Sequence, residues 1–291
     1  MRAARAMADR RGARVVAVTF DPAPIAILRP ELNPPQILGL DRRIDLLKAA
    51  GADEVVVMRP TAQLLDQSAE QFVQHLMDEH QAVGVVEGED FRFGRGRTGD
   101  MTLLAELASI HGFESDALPR VQAKLGDQSL APISSSLVRW LVGRGRVEDA
   151  ARCLGRSAEL SGEIVQGEQR GRTIGIPTAN LSAQALAGII VPMDGVYAGT
   201  VTLGSDEAYP AAISVGIKPT FSRAQLTVEA HLIGYNPHTP DDLYGRHVIF
   251  HFAHWLRDQY PFPSVDNLIG QLHRDIQAAA LLLGGQDALP A

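Results

Sequence analysis

The sequence predicts two successive folds: an α/β domain built on a parallel sheet, then an all-β small barrel with a C-terminal helix. Three observations carry this. Through the first half, short β-branched runs alternate with helix-forming stretches, the pattern of a parallel sheet with crossover helices. From residue 160 onward, strand-like segments recur, separated by turn residues. That is an antiparallel pattern, and closure into a barrel would remove its exposed edges. The length, 291 residues, accommodates two domains at roughly 150 residues each. The boundary is expected near Arg156, giving residues 1–156 and 157–291.

The elements follow in order. Residues 2–10 have helix-forming composition, and residues 14–20 (RVVAVTF) read as a strand. A proline-rich loop comes next. Asp41 can cap a helix running to Ala50 and ended by Gly51. Residues 54–58 form a second strand. Ser68 starts another helix, with Gln71 spaced for a capping box. Residues 83–87 are a third strand, and a helix from about Asp100 to His111 ends at Gly112. Residues 122–124 are expected on a fourth, weaker strand, and residues 134–142 and 147–154 as two closing helices. The pattern opens inside a helix, whereas such domains normally open with a strand. A strand and turn of roughly 20 residues are therefore expected to be missing, leaving this domain N-terminally truncated. In the second half, strands are expected at 160–166, 195–203, 209–216, 227–234 and 246–252, with a helix near 264–283 and a frayed tail after Gly284.

Composition narrows the function classes. Hydrophobic residues make up 45% and charged residues 21%, which excludes disordered, collagen-like and disulfide-scaffold chains. A formal net charge of −7 argues against nucleic-acid binding as the main task, though a small anionic ligand needs only a local patch. Cys153 is the lone cysteine, so no intrachain disulfide or cysteine-based zinc cluster forms. It reads as a buried thiol, and scarce cysteine fits a cytoplasmic protein. No run approaches the ~18 apolar residues of a membrane span. Residues 15–20 are shorter than the ~7–15 residues of a signal-peptide core.

Several motifs invite a reading. Gly94 to Gly99 (GRGRTG) matches the dinucleotide pattern, but it follows the third strand with residues 88–93 intervening. The fingerprint needs a tight strand-to-helix turn, so this is read as an arginine-bearing loop, mobile or touching a nucleotide phosphate. Gly167-x3-Gly171-Arg172-Thr173 is one residue short of a P-loop and has arginine where the phosphate lysine belongs. His247, His251 and His254 would share a helical face, but alternation of Val248, Phe250 and Phe252 argues for a strand.

The strongest local signal is residues 171–181, GRTIGIPTANL. In an extended segment Thr178 and Asn180 share a face, offering a hydroxyl and an amide oxygen, hard ligands suited to Mg²⁺. Gly171 and Gly175 permit close approach of backbone N–H groups to phosphates. An ordinary turn entering a strand accounts for the same residues. Glu229 is the second candidate: Leu226, Val228, Ala230 and Leu232 form an apolar face, and Glu229 lies opposite with Thr227 and His231. A solvent-facing glutamate fits that pattern as well.

Taken together, residues 171–180, DGVYAG at 194–199, VG-x-KPTF at 215–221, VEAH at 228–231 and DLYG at 242–245 resemble bacterial riboflavin kinase in order and spacing. TFDP at 19–22, GEDFRFG at 88–94 and ISSSLVR at 133–139 resemble the FMN adenylyltransferase domain of the bifunctional riboflavin kinase/FAD synthetase family. The resemblance implies a nucleotidyltransferase-like first domain and a kinase barrel. Its substrates would be riboflavin, FMN and ATP, with Mg²⁺. It assigns Glu229 as general base, Thr178 and Asn180 as metal ligands, and Gly171 and Gly175 to a flap over the nucleotide. Phe262 and Val265 fall in the flavin-side loop, where Pro263 replaces the usual Asp or Asn. Ser134, Ser135, Ser136 and Arg139 would serve phosphate, and Gly94 a nucleotide or flavin loop.

The first domain departs from this family. Its opening histidine motif, which stabilises charge on nucleotide phosphates, has no counterpart, and Ala23 stands where a further histidine belongs. The expectation is riboflavin kinase activity with little or no FAD synthesis. A second reading, from a different class, is a non-catalytic flavin- or nucleotide-binding regulatory protein. No nucleic-acid or membrane partner is expected.

Overall fold

A computed structural model of the chain describes residues 1–167, 170–204, 207–219, 224–236 and 242–284. The chain divides into two compact units, Met1–Pro34 with Leu40–Val121, and Pro35–Gly39 with Gln122–Ala291.

The first unit is α/β. Strand β1 (Val16–Phe20) pairs in parallel with β2 (Glu54–Met58), and β3 (Gly84–Gly88) pairs in parallel with β4 (Glu114–Leu118). Helices intervene as the periodicity predicts. Ser68 and Gln71 form the expected capping box on Ala69–His80. Asp100 caps Met101–His111, which ends on Gly112 at φ 77°. Ala69, Val73, Leu104, Leu107 and Phe113 pack around Phe93 as the core. The proline-rich loop contains two short helices, Pro24–Leu28 and Pro30–Leu32, each with a proline in its first turn. There the fixed φ suits a helix start.

One strand expectation is corrected. The fourth parallel strand is β4, not residues 122–124. Its sequence ESDAL carries two acidic residues and lacks an apolar run, so main-chain pairing with β3 defines it rather than side-chain patterning. Residues Gln122–Lys124 (β5) instead pair antiparallel with Leu130–Pro132 (β6).

The second unit holds a closed barrel of six strands: β7 (Ala158–Val165), β8 (Ala179–Leu181), β9 (Gly195–Thr202), β10 (Ala208–Pro219), β11 (Ala224–Leu232) and β12 (His247–Arg257). Around the barrel the order is β10-β11-β8-β7-β12-β9, every pair antiparallel, with β9 and β10 closing the ring. Tyr197, Ile213, Val215, Val228, Ala230, Phe250 and Phe252 fill its interior. The C-terminal helix Val265–Leu282, capped by Ser264, packs against the outside of β9 and β10 through Ala279 and Ala280. Helices Ser135–Gly143 and Val147–Leu154 also belong to this unit. Cys153 is buried, and burial pushes its thiol pKa up. The expected tail after Gly284 lies outside the described residues, as do Thr220 and Phe221.

Candidate active site

The outer wall of the barrel carries a polar row. Glu229 on β11 is in register with Asn180 on β8 to one side and Ser214 on β10 to the other. Strand alternation places them there. Val228 and Ala230, flanking Glu229, are buried in the interior, as are Ile213 and Val215 around Ser214. The intervening side chains therefore face outward. Thr178, just before β8, donates its hydroxyl proton to Glu229 Oε2 at 3.2 Å. Asn180 Nδ2 donates to the Thr178 carbonyl at 3.4 Å. A carboxylate, a hydroxyl and a carboxamide thus converge on one wall.

That wall lines a cavity of about 450 Å³ between the barrel and the C-terminal helix, within the ~300–1,000 Å³ of small-molecule sites. One end holds Thr178, Asn180, Glu229 and Arg172, and the other Gln259, Tyr260 and Phe262. Residues 171–176 form a tight turn over the first end: the Ile176 N–H donates to the Gly171 carbonyl at 2.8 Å. A Cβ at Gly171 would collide with the Ile176 carbonyl, and Gly175 sits at φ 77°. Arg172 Nη2 donates to the Tyr244 hydroxyl at 3.4 Å. Gly167 lies so close to Asn180 that a Cβ would come within 2.6 Å of its amide nitrogen. His231, two residues along from Glu229 on the same face, donates from Nδ1 to the Pro177 carbonyl at 2.9 Å. Burial holds its pKa below the ordinary imidazole value, against the opposing pull of that hydrogen bond.

The far end rests on an ion pair. Arg257, at the end of β12, donates to the buried Asp275 of the C-terminal helix. The Arg257 guanidinium lies 5.1 Å from the Tyr260 ring centre and 5.7 Å from that of Phe262. Phe262 lines the cavity. Val265, 60% exposed, is not part of the lining.

Thr178 Oγ1 and Asn180 Oδ1 are hard oxygens of the kind magnesium takes, and a phosphoryl-transfer site needs few protein ligands because phosphates and water complete the shell. Thr178 gives its proton to Glu229, which leaves its oxygen lone pairs for a cation. Among the described residues no group of three or more His, Cys, Asp or Glu side chains is arranged to hold a metal. Two of the three histidines of β12 are engaged separately. His251 Nε2 lies 3.1 Å from Thr202 Oγ1, and His254, past a bulge in β12, has its Nδ1 3.3 Å from Glu148 Oε1.

The remaining candidates lie elsewhere. In the first unit, Gly94 has φ 71°, and a Cβ there would come within 2.6 Å of the Ala69 backbone nitrogen. Phe93 and Gly99 exchange backbone hydrogen bonds of 3.1 and 2.9 Å. They close the loop on itself, which is not the strand-to-helix turn of a dinucleotide site. In the second unit, Ser134 accepts from the Leu137 N–H at 3.1 Å, and Ser135 and Ser136 are exposed in the first turn that follows. Arg139 Nε donates to the Pro35 carbonyl at 2.6 Å, and burial lowers its pKa. Sequence reasoning missed Ser214, Gln259, Arg257 and Asp275. For Ser214 a signal existed, since it breaks the apolar run of β10 between Ile213 and Val215. Arg257 ends the last strand and the other two lie beyond it, where no periodicity marks them.

A closed barrel bearing a carboxylate beside a hydroxyl and a carboxamide, next to a glycine-rich turn, suits an enzyme of phosphoryl transfer to a hydroxyl. The comparisons agree. The family model for riboflavin kinase matches residues 154–283, and that for FAD synthetase matches residues 1–135. The bifunctional riboflavin kinase/FMN adenylyltransferase of Escherichia coli K12 is 30% identical, covering 94% of this chain and 84% of its own. The Haemophilus influenzae protein of the same description is 28% identical, covering 96% and 87%. A crystal structure titled macrolide-efflux protein, from Streptococcus pneumoniae, superposes with a TM-score of 0.81 at 29% identity, covering 96% of this chain and 87% of that one. No helix among the described residues is long and apolar enough to cross a membrane. The chain belongs to the bifunctional riboflavin kinase/FMN adenylyltransferase family. It is a riboflavin kinase whose other half is of the FAD synthetase type, and such enzymes use ATP with a divalent metal.

Proposed function

We propose that Glu229 is the general base of the kinase reaction, and that Thr178 and Asn180 hold Mg²⁺ with the ATP phosphates. The observation that carries this reading is the convergence of Thr178, Asn180 and Glu229 on one cavity wall, with Thr178 donating to Glu229 at 3.2 Å. Magnesium, when bound, neutralises charge on the transferring phosphoryl group. Glu229 takes the proton of the substrate's primary hydroxyl as that oxygen bonds to the γ-phosphorus, and ADP leaves with the β–γ bridging oxygen. Gly171 and Gly175 let the turn lie over the nucleotide, and Phe262 contributes to the flavin side.

For the second activity, Ser134, Ser135, Ser136 and Arg139 are proposed phosphate contacts and Gly94 a nucleotide or flavin loop. The functional division is proposed at residues 1–156 and 157–291, and the cytoplasm as the site of action. The exposed first turn after Ser134 supports the phosphate role, because its N–H groups suit an anion.

Incubation with riboflavin, ATP and Mg²⁺, followed by separation of the flavins, tests the reading. Glu229→Gln is expected to lower kcat for FMN formation by about 10²–10⁴-fold while ATP still binds. Unchanged FMN formation would remove Glu229 from the chemistry.

A further inference from the structure

We infer that Ser214, aimed by Gln259, binds the hydroxyl next to the one that is phosphorylated, and so makes the site select a polyol chain rather than any primary alcohol. This rests on the reading of Glu229 as the base.

The polar row supplies the geometry. Asn180, Glu229 and Ser214 are register partners on three adjacent strands, and all three line the cavity. Thr178 and Asn180 occupy the metal side of Glu229, so Ser214 occupies the opposite side. Neighbouring strands are about 4.8 Å apart, and an O–H···O bond of about 2.7 Å on each side lets hydroxyls on adjacent carbons meet side chains from both strands. A primary hydroxyl at Glu229 therefore puts the next hydroxyl of the chain within reach of Ser214.

The chemistry of the pair matches a hydroxyl. Gln259 Nε2 donates to Ser214 Oγ at 2.8 Å and to the Val215 carbonyl at 2.8 Å. Both amide protons are thereby used, and the serine oxygen receives one of them. The Ser214 proton has no acceptor among the described residues, so the serine is set as a donor. The Gln259 carbonyl oxygen remains as an acceptor beside it. A secondary hydroxyl both gives and takes a proton, and this donor–acceptor couple meets both needs. Gly216 makes the arrangement possible: a Cβ there would come within 2.6 Å of Gln259 Oε1. Gln259 could not then lie flat on β10. The serine's orientation is thus built from a side chain beyond the last strand, against a glycine in the middle of another.

The test crosses the Ser214→Ala variant with riboflavin and with an analogue lacking the hydroxyl adjacent to the phosphorylated one. With riboflavin, Ser214→Ala is expected to lower kcat/KM about tenfold while the KM for ATP is unchanged. The wild type is expected to discriminate against the deoxy analogue by about tenfold, and Ser214→Ala to lose that discrimination. Gln259→Ala is expected to reproduce part of the loss, and Ser214→Thr to restore discrimination by returning the hydroxyl. Equal discrimination by wild type and Ser214→Ala overturns the proposal, because a merely structural serine would slow both substrates alike. Failure of the base assignment would show separately, as an active Glu229→Gln enzyme.

Discussion

Arg257 and Asp275 form a two-pronged ion pair across the far end of the cavity: Nε donates to Oδ1 at 2.9 Å and Nη2 to Oδ2 at 2.7 Å. Gln271 Nε2 adds a further bond to Asp275 at 2.8 Å. The pair ties the end of β12 to the C-terminal helix, and the guanidinium underlies Tyr260 and Phe262. Asp275 is only 4% exposed, so removing it strands a positive charge in a poorly solvated place. Asp275→Ala is expected to destabilise the protein by about 3–5 kcal/mol, measured by urea unfolding, and to raise the KM for riboflavin. A loss near zero would mean that water reaches the guanidinium.

Gly171 is the tightest point of the turn over Thr178. An alanine there must push the Ile176 carbonyl aside, and overpacking of this kind costs about 1–3 kcal/mol. Because the displaced backbone leads directly to Thr178, Gly171→Ala is expected to raise the KM for ATP by about tenfold. Riboflavin binding, followed by flavin fluorescence, should change far less. An unchanged KM for ATP would separate the turn from nucleotide binding.

His231 gives the site a pH-dependent support. Burial depresses its folded-state pKa, so the unfolded chain binds a proton more readily than the native one. The stabilisation is fully present above the unfolded value, about 6.5, and is lost as pH falls from there through the lower native value. The thermal midpoint is expected to fall on acidification below about pH 6.5, and His231→Gln to flatten that part of the profile. Parallel profiles for the two proteins would contradict this account.

The adenylyltransferase reaction is expected to lag. Ala23 precedes the helix Pro24–Leu28 and makes no side-chain cap. It supplies no imidazole to stabilise charge on transferring phosphates, a contribution that weighs heavily in such reactions. With riboflavin, ATP and Mg²⁺ present together, FMN is expected to accumulate and FAD to remain a minor product by chromatography. FAD in amounts comparable with FMN would show that other residues supply the charge.

Local chemistry made much of this legible. Ser68 with Gln71 announces a helix start because a cap is a local hydrogen bond, and that capping box forms. Asp100 and Ser264 cap the helices expected near them, whereas Asp41, expected as a cap, lies inside the first turn of Leu40–Ala49. The barrel strands were readable because Val228, Ala230, Ile213 and Val215 alternate with polar neighbours. β4 was not, because ESDAL has no such alternation and owes its state to β3.

The site divides in the same way. Thr178, Asn180 and Glu229 stand out in the sequence because residue type and two-residue spacing place oxygen atoms on one face of a strand. That they share a wall was settled only when β8 paired with β11, and spacing within a strand says nothing about which strand lies beside it. Ser214 became part of the site through register with Glu229, Gln259 by reaching back to β10, and Asp275 by helix packing. These are contacts between residues far apart in the chain, so only closure of the barrel and docking of the last helix could decide them.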